Sequence, residues 1–600
     1  MKPDIAQRQG PLSLGAGIAA ALAAGLVMLV LRSWLQVRSV PERLLEWVLL
    51  FVPLDVFEAA LQEFGFSAKR YALYLGILVT LSVLAGIGAV ALQRRWGLPV
   101  LLGIGLGLWL FTMVVVMPLT SAGFFALGLL EGKRTTGLGY LGVALTYATV
   151  LTLTRVFVLT PTDASAHAAV ASVGGGLALT PRRWALSLMG GCGAVLAGTF
   201  VAEALFPHRT GLPSIVVADP QEPVPSGGIN EPNPHPNAVA SPVGTAAADR
   251  PTTVATATAT TTTRPTTTTA GLPEPPSERA LARDQDGAVL AASRRPGELP
   301  EAVTSNDRFY VVTKNAGGDP LLHPDDWRLV VDGAVRRPFE LDYATLRKLP
   351  SVEVTRTLEC ISNLVDKCEL ASFGCDLIST ARWRGVRLPD VLGLAGGVGP
   401  GVTFLATISA DEYTTAVPID VAMSAESLLV FEMNGEVLPR EHGYPARVLI
   451  PGRYGMKNAK WVVALRPMTR ELVDWYGQRS WSREARVKTM TRIDVPAREA
   501  NLQAGAQRIA GIAYAGDRGI QEVEFSVDGG QTWQTAELTE PAAGVDAWVR
   551  WQSRFTIAAG AELTLVARAT DGSGVQQPEG FSLAQPDGAA GWNSITVRGA

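Results

Sequence analysis

The chain places a single soft ligand and a group of cations where they could serve one cofactor. Cys360 sits in Thr357-Leu-Glu-Cys-Ile-Ser-Asn363, after the β-type run Val352-Glu-Val-Thr355. A thiolate suits a redox-active metal better than carboxylate or imidazole, and binding fixes its deprotonated state. Further on, Met433-Asn-Gly-Glu-Val-Leu-Pro-Arg-Glu-His-Gly-Tyr-Pro-Ala-Arg447 and Tyr454-Gly-Met-Lys-Asn-Ala-Lys-Trp461 bring His442, Arg447, Lys457 and Lys460 into one basic cluster. Arginine grips a phosphate through two donors and lysine as a point charge. Each feature also has a plain reading: a cysteine in a β-rich run is commonly a small buried apolar residue, and a basic cluster a solvated face.

These pieces, in this order, together with Ile378-Ser-Thr-Ala-Arg-Trp-Arg-Gly-Val-Arg-Leu388, resemble the sulfite oxidase-like molybdopterin enzymes. The resemblance runs from about Phe309 to Val597 and implies a molybdenum-molybdopterin cofactor with Cys360 as the one protein ligand to the metal. One ligand suffices where a dithiolene cofactor and oxo groups complete the coordination. It also implies that His442, Arg447 and Lys460, with Lys457 beside them, contact the pterin or its phosphate. Lys314-Asn315 stands where the family has a basic residue and Asn near the cofactor. Tyr413 matches the active-site tyrosine, Trp383 would sit near the pocket, and Arg382 is a candidate anion contact. The sequence also departs from the family. The arginine expected to hold the substrate anion is replaced by Val365, and a second falls at Asp587. Each charge-assisted contact contributes roughly 1.5–3 kcal/mol, so a substrate other than sulfite is expected.

The elements that must hold these residues read as mixed α/β. Trp327–Gly333, Val352–Leu358, Val402–Ser409 and Ser427–Met433 have strand patterns, and Leu341–Leu349 and Leu388–Leu394 helical ones. Val352–Leu358 would deliver Cys360 at its end. From about Ala485 the pattern is all-β, with a hairpin in Gln521–Trp533, and suggests an immunoglobulin-like sandwich. The resemblance implies a dimerisation domain there, hence a homodimer.

At 600 residues the chain exceeds one core. A net charge of −3 does not suggest a nucleic-acid partner. The reading divides it into 1–206, a transmembrane anchor of five or six helices; 207–300, a Pro/Thr-rich disordered linker; 301–484, the α+β molybdopterin-binding domain; and 485–600, the immunoglobulin-like domain. Apolar runs at Leu14–Leu35, Tyr71–Leu92, Leu98–Leu119, Gly139–Thr160 and Trp184–Phe206 are long enough to span a bilayer. Leu44–Leu61, with Asp55 and Glu58, would either span or lie in the interface. Arg94-Arg95 and Arg182-Arg183 favour the cytoplasm, which places the catalytic domain on the extracytoplasmic side; Lys133-Arg134 runs against this. Thr180-Pro-Arg-Arg-Trp-Ala-Leu-Ser-Leu188 fits either the positive-inside rule or a twin-arginine export signal. None of the five histidines falls in a predicted span, so no haem is expected. Cys368 and Cys375 are candidates for a disulfide, and Cys192 for packing.

The leading expectation is a multi-pass membrane oxidoreductase performing oxygen-atom transfer on a small-molecule substrate. It would exchange electrons with a separate carrier, a cytochrome or a quinone-linked partner. The alternative is a tethered surface protein whose domain has lost the metal. The joint presence of Cys360, Tyr413, His442, Arg447 and Lys460 argues against it.

Overall fold

The computed structural model describes residues 4–156 and 295–600, apart from short stretches within 50–67, 121–132, 371–373 and 540–543. The run Trp184–Phe206, the arginine pair at 182–183, Cys192 and nearly all of the Pro/Thr-rich segment lie outside the described residues.

Four described helices are long and apolar enough to cross a membrane, with cores at Leu12–Leu35, Ala68–Gln93, Leu98–Leu119 and Lys133–Thr154. They belong to α1 (Asp4–Leu35), α3 (Ala68–Gln93), α4 (Leu98–Phe111, running on through a wide turn to Leu119) and α5 (Lys133–Thr154). Leu22, Leu26, Leu75 and Leu78 face outward, so these helices are apolar on their outer as well as their inner faces. Such surface is costly in water and natural in hydrocarbon. Small residues let the helices approach. A Cβ on Gly17 would lie 2.2 Å from the Ala85 carbonyl oxygen, and one on Gly105 would lie 2.8 Å from that of Ala144. Between α1 and α3 lies α2 (Val40–Val48), opened by a Ser39/Glu42 capping box. The described start of the Leu44–Leu61 segment is thus a short polar-faced helix, which rests against the catalytic half.

That half holds two five-stranded sheets. In chain order its strands are β1 (Arg328–Val331), β2 (Phe339–Asp342), β3 (Val352–Glu359), β4 (Ile378–Arg387), β5 (Phe404–Ser409), β6 (Thr414–Pro418), β7 (Leu428–Met433), β8 (Glu436–Val437), β9 (Arg447–Leu449) and β10 (Val462–Met468). One sheet runs β2-β1-β10-β5-β6; the other runs β3-β4-β7-β8, with β9 paired to β7. The predicted helix Leu341–Leu349 is shorter than expected. Leu341 and Asp342 complete β2 against β1, and the Asp342 carboxylate caps a helix over Tyr343–Lys348. The helix Leu388–Leu394 matches its expected span.

The C-terminal part is two β-sheets with strands at Met490–Val495, Gly505–Tyr514 and Val549–Ile557 on one side and Ile520–Ser526, Glu562–Asp571 and Asn593–Gly599 on the other. Ile509, Trp551, Phe525, Leu565 and Val597 fill the space between them. The expected hairpin exists, but its loop is longer than a two-residue turn. Ile520–Ser526 pairs with Gln534–Thr535, and the Asp528 carboxylate accepts from the Gln531 and Thr532 amides.

The two β-rich parts share a buried polar junction. The Tyr514 hydroxyl donates to Asp546 Oδ1 at 2.7 Å, and Arg356 on β3 lies 3.0 Å from Asp546 Oδ2. The Thr357 amide donates to the Asp546 carbonyl at 2.9 Å.

Candidate active site

Cys360 follows β3 directly, and its position is held from both sides. Its amide donates to the Leu377 carbonyl, and its carbonyl accepts from the Asn363 amide, each at 2.9 Å. The Asn363 side chain accepts from the Leu377 amide and donates to Glu359 Oε1. One short asparagine therefore ties the strand end to the loop that carries the thiol. Cys360 is 6% exposed, and burial pushes its thiol up.

The cavity in front of it is lined by Tyr310, Tyr413, His442, Arg447, Lys460 and Tyr476, among others. Tyr413 comes from the turn between β5 and β6 and donates to the Met456 carbonyl at 2.5 Å. Burial holds the Tyr310 and Tyr413 phenols well above their usual range, so both remain O–H donors. His442 Nε2 lies 3.2 Å from the Asn306 carbonyl oxygen. After it, Gly443 adopts φ 115°, and a Cβ there would sit 3.0 Å from Lys460 Cβ and 3.1 Å from Arg447 Cβ. Glycine is what lets these two cationic residues converge.

Among the described residues, neither cation has a carboxylate bonded to it. Arg447 donates to the carbonyls of His442 at 3.2 Å and Asn458 at 2.9 Å and lies over the Trp383 ring; its Nε has no hydrogen-bond partner among the described residues. Lys460 donates to the carbonyls of Glu441 at 2.8 Å and Val312 at 3.1 Å. Burial pulls Arg447 down to about 10 and Lys460 down to about 8. Buried cations facing a shared cavity form a seat for an anion.

The expected residues divide. Cys360, Tyr413, His442, Arg447, Lys460 and Lys314 line the cavity. Trp383 lies one layer behind it, fully buried, with Arg447 stacked on its ring. Lys457 does not reach the cavity: its ammonium is buried against Asp474 and the Ala416 carbonyl, an internal ion pair. Asn315 bonds Asp319 Oδ1 instead. Arg382 is exposed, because β4 alternates and its inward position belongs to Trp383. Val365 is buried in an apolar cluster with Ile361 and Leu364, and Asp587 is exposed. Sequence reasoning missed Phe309, Tyr310, Trp475 and Tyr476, which all line the cavity. Their signal in the sequence was their pairing as adjacent aromatics, Phe309-Tyr310 and Trp475-Tyr476. Cys368 and Cys375 form a disulfide.

Two protein-family models match: the oxidoreductase molybdopterin binding domain over residues 316–476 and the Mo-co oxidoreductase dimerisation domain over 483–588. Sulfite oxidase of Gallus gallus is 33% identical over 325 residues, covering 47% of this chain and 70% of that protein. The chain belongs to the sulfite oxidase-like molybdopterin oxidoreductases. The mitochondrial sulfite oxidase of Homo sapiens is 32% identical over 330 residues, 48% of this chain and 59% of that protein. A nitrate reductase [NADH] of Ulva prolifera is 27% identical over 321 residues, 44% and 37% respectively. The chain therefore covers less than two thirds of several of these relatives.

Membership makes the protein an oxidoreductase with a molybdenum-molybdopterin cofactor, and the cavity's chemistry fits that group. A soft thiol stands at one end. The unpaired Nε of Arg447 and the Lys460 ammonium offer the donors that a pterin phosphate requires. The cavity's free volume is about 100 Å³, below the roughly 300 Å³ where ligand sites begin, so loading requires the cavity to widen.

Proposed function

We propose that this protein is a membrane-anchored oxidoreductase that transfers an oxygen atom to or from a small substrate on the extracytoplasmic side. The convergence of Cys360, Tyr413, His442, Arg447 and Lys460 on one cavity carries the reading. In it, Cys360 ligates the metal, and His442, Arg447 and Lys460 seat the pterin phosphate. The cofactor supplies the two-electron redox chemistry when bound. Tyr413 releases the Met456 carbonyl and directs its O–H to substrate, while Tyr310 and Tyr476 wall the pocket and exclude water.

Sulfite is not the expected substrate. The positions where the resemblance puts anion-binding arginines hold a buried Val365 and an exposed Asp587, and Arg382 faces solvent. Two missing contacts weaken a sulfite-sized anion by roughly 3–6 kcal/mol.

Helix directions support the orientation. The end of α1 and the start of α3 touch the catalytic half, Arg32 donating to the Gly317 and Gly318 carbonyls and Lys69 to that of Thr313. Arg94-Arg95, at the far end of α3, then falls on the opposite face, the cytoplasmic one by the positive-inside rule. On this reading the chain crosses again after α5 through Trp184–Phe206. Residues 1–206 form the anchor, 207–300 the tether, 301–484 the pterin domain and 485–600 the dimerisation domain, through which two copies associate. Metal analysis of the purified chain tests the reading, followed by a dye-linked screen over sulfite, sulfoxides and N-oxides. Absence of molybdenum would refute the site. Turnover on sulfite as the best substrate would refute the specificity.

A further inference from the structure

A second cavity lies between the helix ends and the catalytic half, with a volume of about 870 Å³. Trp34, Thr120 and Thr136 form its helical wall, and His323, Val473 and Trp475 its catalytic wall. This volume falls in the range of roughly 300–1,000 Å³ that small-molecule sites occupy. Trp475 and Lys314 border both this cavity and the one in front of Cys360. The Trp475 ring lies 5.0 Å from that of Tyr476, which faces the Cys360 cavity. The Trp475 ring thus forms a shared wall between the two spaces, with Tyr476 beside it on the Cys360 side.

The charges around the second cavity are largely matched. Arg43 is bidentate on Glu412 at 2.6 and 2.8 Å, and Arg38 pairs with Glu46. Burial alone would raise the Glu46 carboxyl; Lys314 and Arg38 overcome it and hold it at about 2. Arg466 is bidentate on Asp332. An anionic headgroup would have to compete with these carboxylates. Arg479 differs. It stacks on Trp475 at 3.3 Å from the ring centroid, donates to the carbonyls of Trp475 and Glu46, and pairs with no carboxylate among the described residues. A wall of indole rings, Trp34, Trp47 and Trp475, among largely matched charges suits a neutral, planar molecule.

We infer that the second cavity binds a membrane quinone, which exchanges electrons with the pterin site through Trp475 and Tyr476. The inference rests on the membrane-anchored reading, because the cavity's helical wall is made of span ends, where a lipid-soluble molecule arrives. The balance closes in either direction. A substrate that gains an oxygen atom from water releases two electrons and two protons, and these convert quinone to quinol. A substrate that loses its oxygen atom as water takes the same electrons and protons from quinol.

The test uses the full molybdenum-loaded chain in nanodiscs of neutral lipid. An azido-substituted short-chain benzoquinone is photolysed, with decylubiquinone as competitor, and the labelled peptides are mapped. Competable label is expected on peptides spanning 119–136 and 473–479. Thr136→Trp and, from the other wall, Val473→Trp each push an indole into the cavity and should lower competable label by roughly tenfold with molybdenum content unchanged. The catalytic-side variant does not perturb a span, so it stands if Thr136→Trp fails to fold. Label that is not competed, that maps elsewhere, or that persists in Val473→Trp would overturn the inference. Carbonate washing of native membranes separates the two levels. Release of the chain would overturn both the anchored reading and the quinone site. Retention with molybdenum present but no competable label would overturn the quinone site alone.

Discussion

Replacing Arg447 with methionine distinguishes a cofactor-seating cation from a structural one. Burial that pulls its guanidinium down to about 10 corresponds to roughly 3 kcal/mol against the charged form. Because arginine is charged in the folded and the unfolded chain at every pH well below 10, that penalty is constant under ordinary assay conditions. Its hydrogen bonds to the His442 and Asn458 carbonyls offset about 1.5 kcal/mol each. The two contributions nearly cancel, so Arg447→Met should change the stability of the cofactor-free protein by less than about 1 kcal/mol. Arg492 is the internal control. It is equally buried but pairs with Asp494 at 2.7 Å and Asp376 at 3.0 Å, and Arg492→Met should cost about 3–5 kcal/mol by stranding Asp494. Thermal unfolding of both variants, expressed without cofactor, should then differ on the order of 10 °C. Molybdenum content of cofactor-replete preparations should fall steeply only in Arg447→Met. An Arg447→Met protein as destabilised as Arg492→Met would mean that the arginine is held for packing, and the phosphate seat would lose its main member.

Three further outcomes follow from the same geometry. Cys360→Ser, a nearly isosteric change at a buried position, should leave the melting temperature within a few degrees and cut bound molybdenum to under roughly a tenth, measured by elemental analysis. Lys460 is pulled down to about 8, so its ammonium is present below that pH and lost above it. Cofactor uptake by the apo-protein should therefore weaken as pH rises through about 8, and Lys460→Met should flatten the profile. Arg43→Ala leaves Glu412, whose side chain is 28% exposed, with the longer 4.0 Å contact to Arg38, so the loss is about 1–2 kcal/mol after solvent screening. Limited proteolysis between the helices and the catalytic half should accelerate, and Arg43→Ala/Glu412→Gln should restore part of the resistance.

What the sequence revealed and what it hid divide along physical lines. The strand before Cys360 was legible because Val352, Val354 and Thr357 are β-branched and the run ends at a turn closed by Asn363. The helix Leu388–Leu394 announced itself by its Pro start and its Gly396-Gly397 stop. Charge alone misled for Lys457: sequence spacing does not reveal that Asp474 waits for it in the interior. Arg382 sits beside Trp383, and the alternation of a strand admits only one of two neighbours to the pocket. The Arg43–Glu412 pair, 369 residues apart, carries no local pattern at all. Tyr476 and Trp475 reach the site only because β10 and the segment after it fold back along the turn that bears Tyr413.

The polar junction at Asp546 bears on how this protein can be taken apart. Arg356 and Thr357, which Asp546 engages, lie only a few residues before Cys360 on the same strand. The position of the sulfur is therefore set in part by a residue of the C-terminal sandwich. Excising residues 301–484 as a portable catalytic cassette would remove the outer brace of the strand that leads to Cys360, so shuffling or truncation should be planned around the pair of folds as one unit.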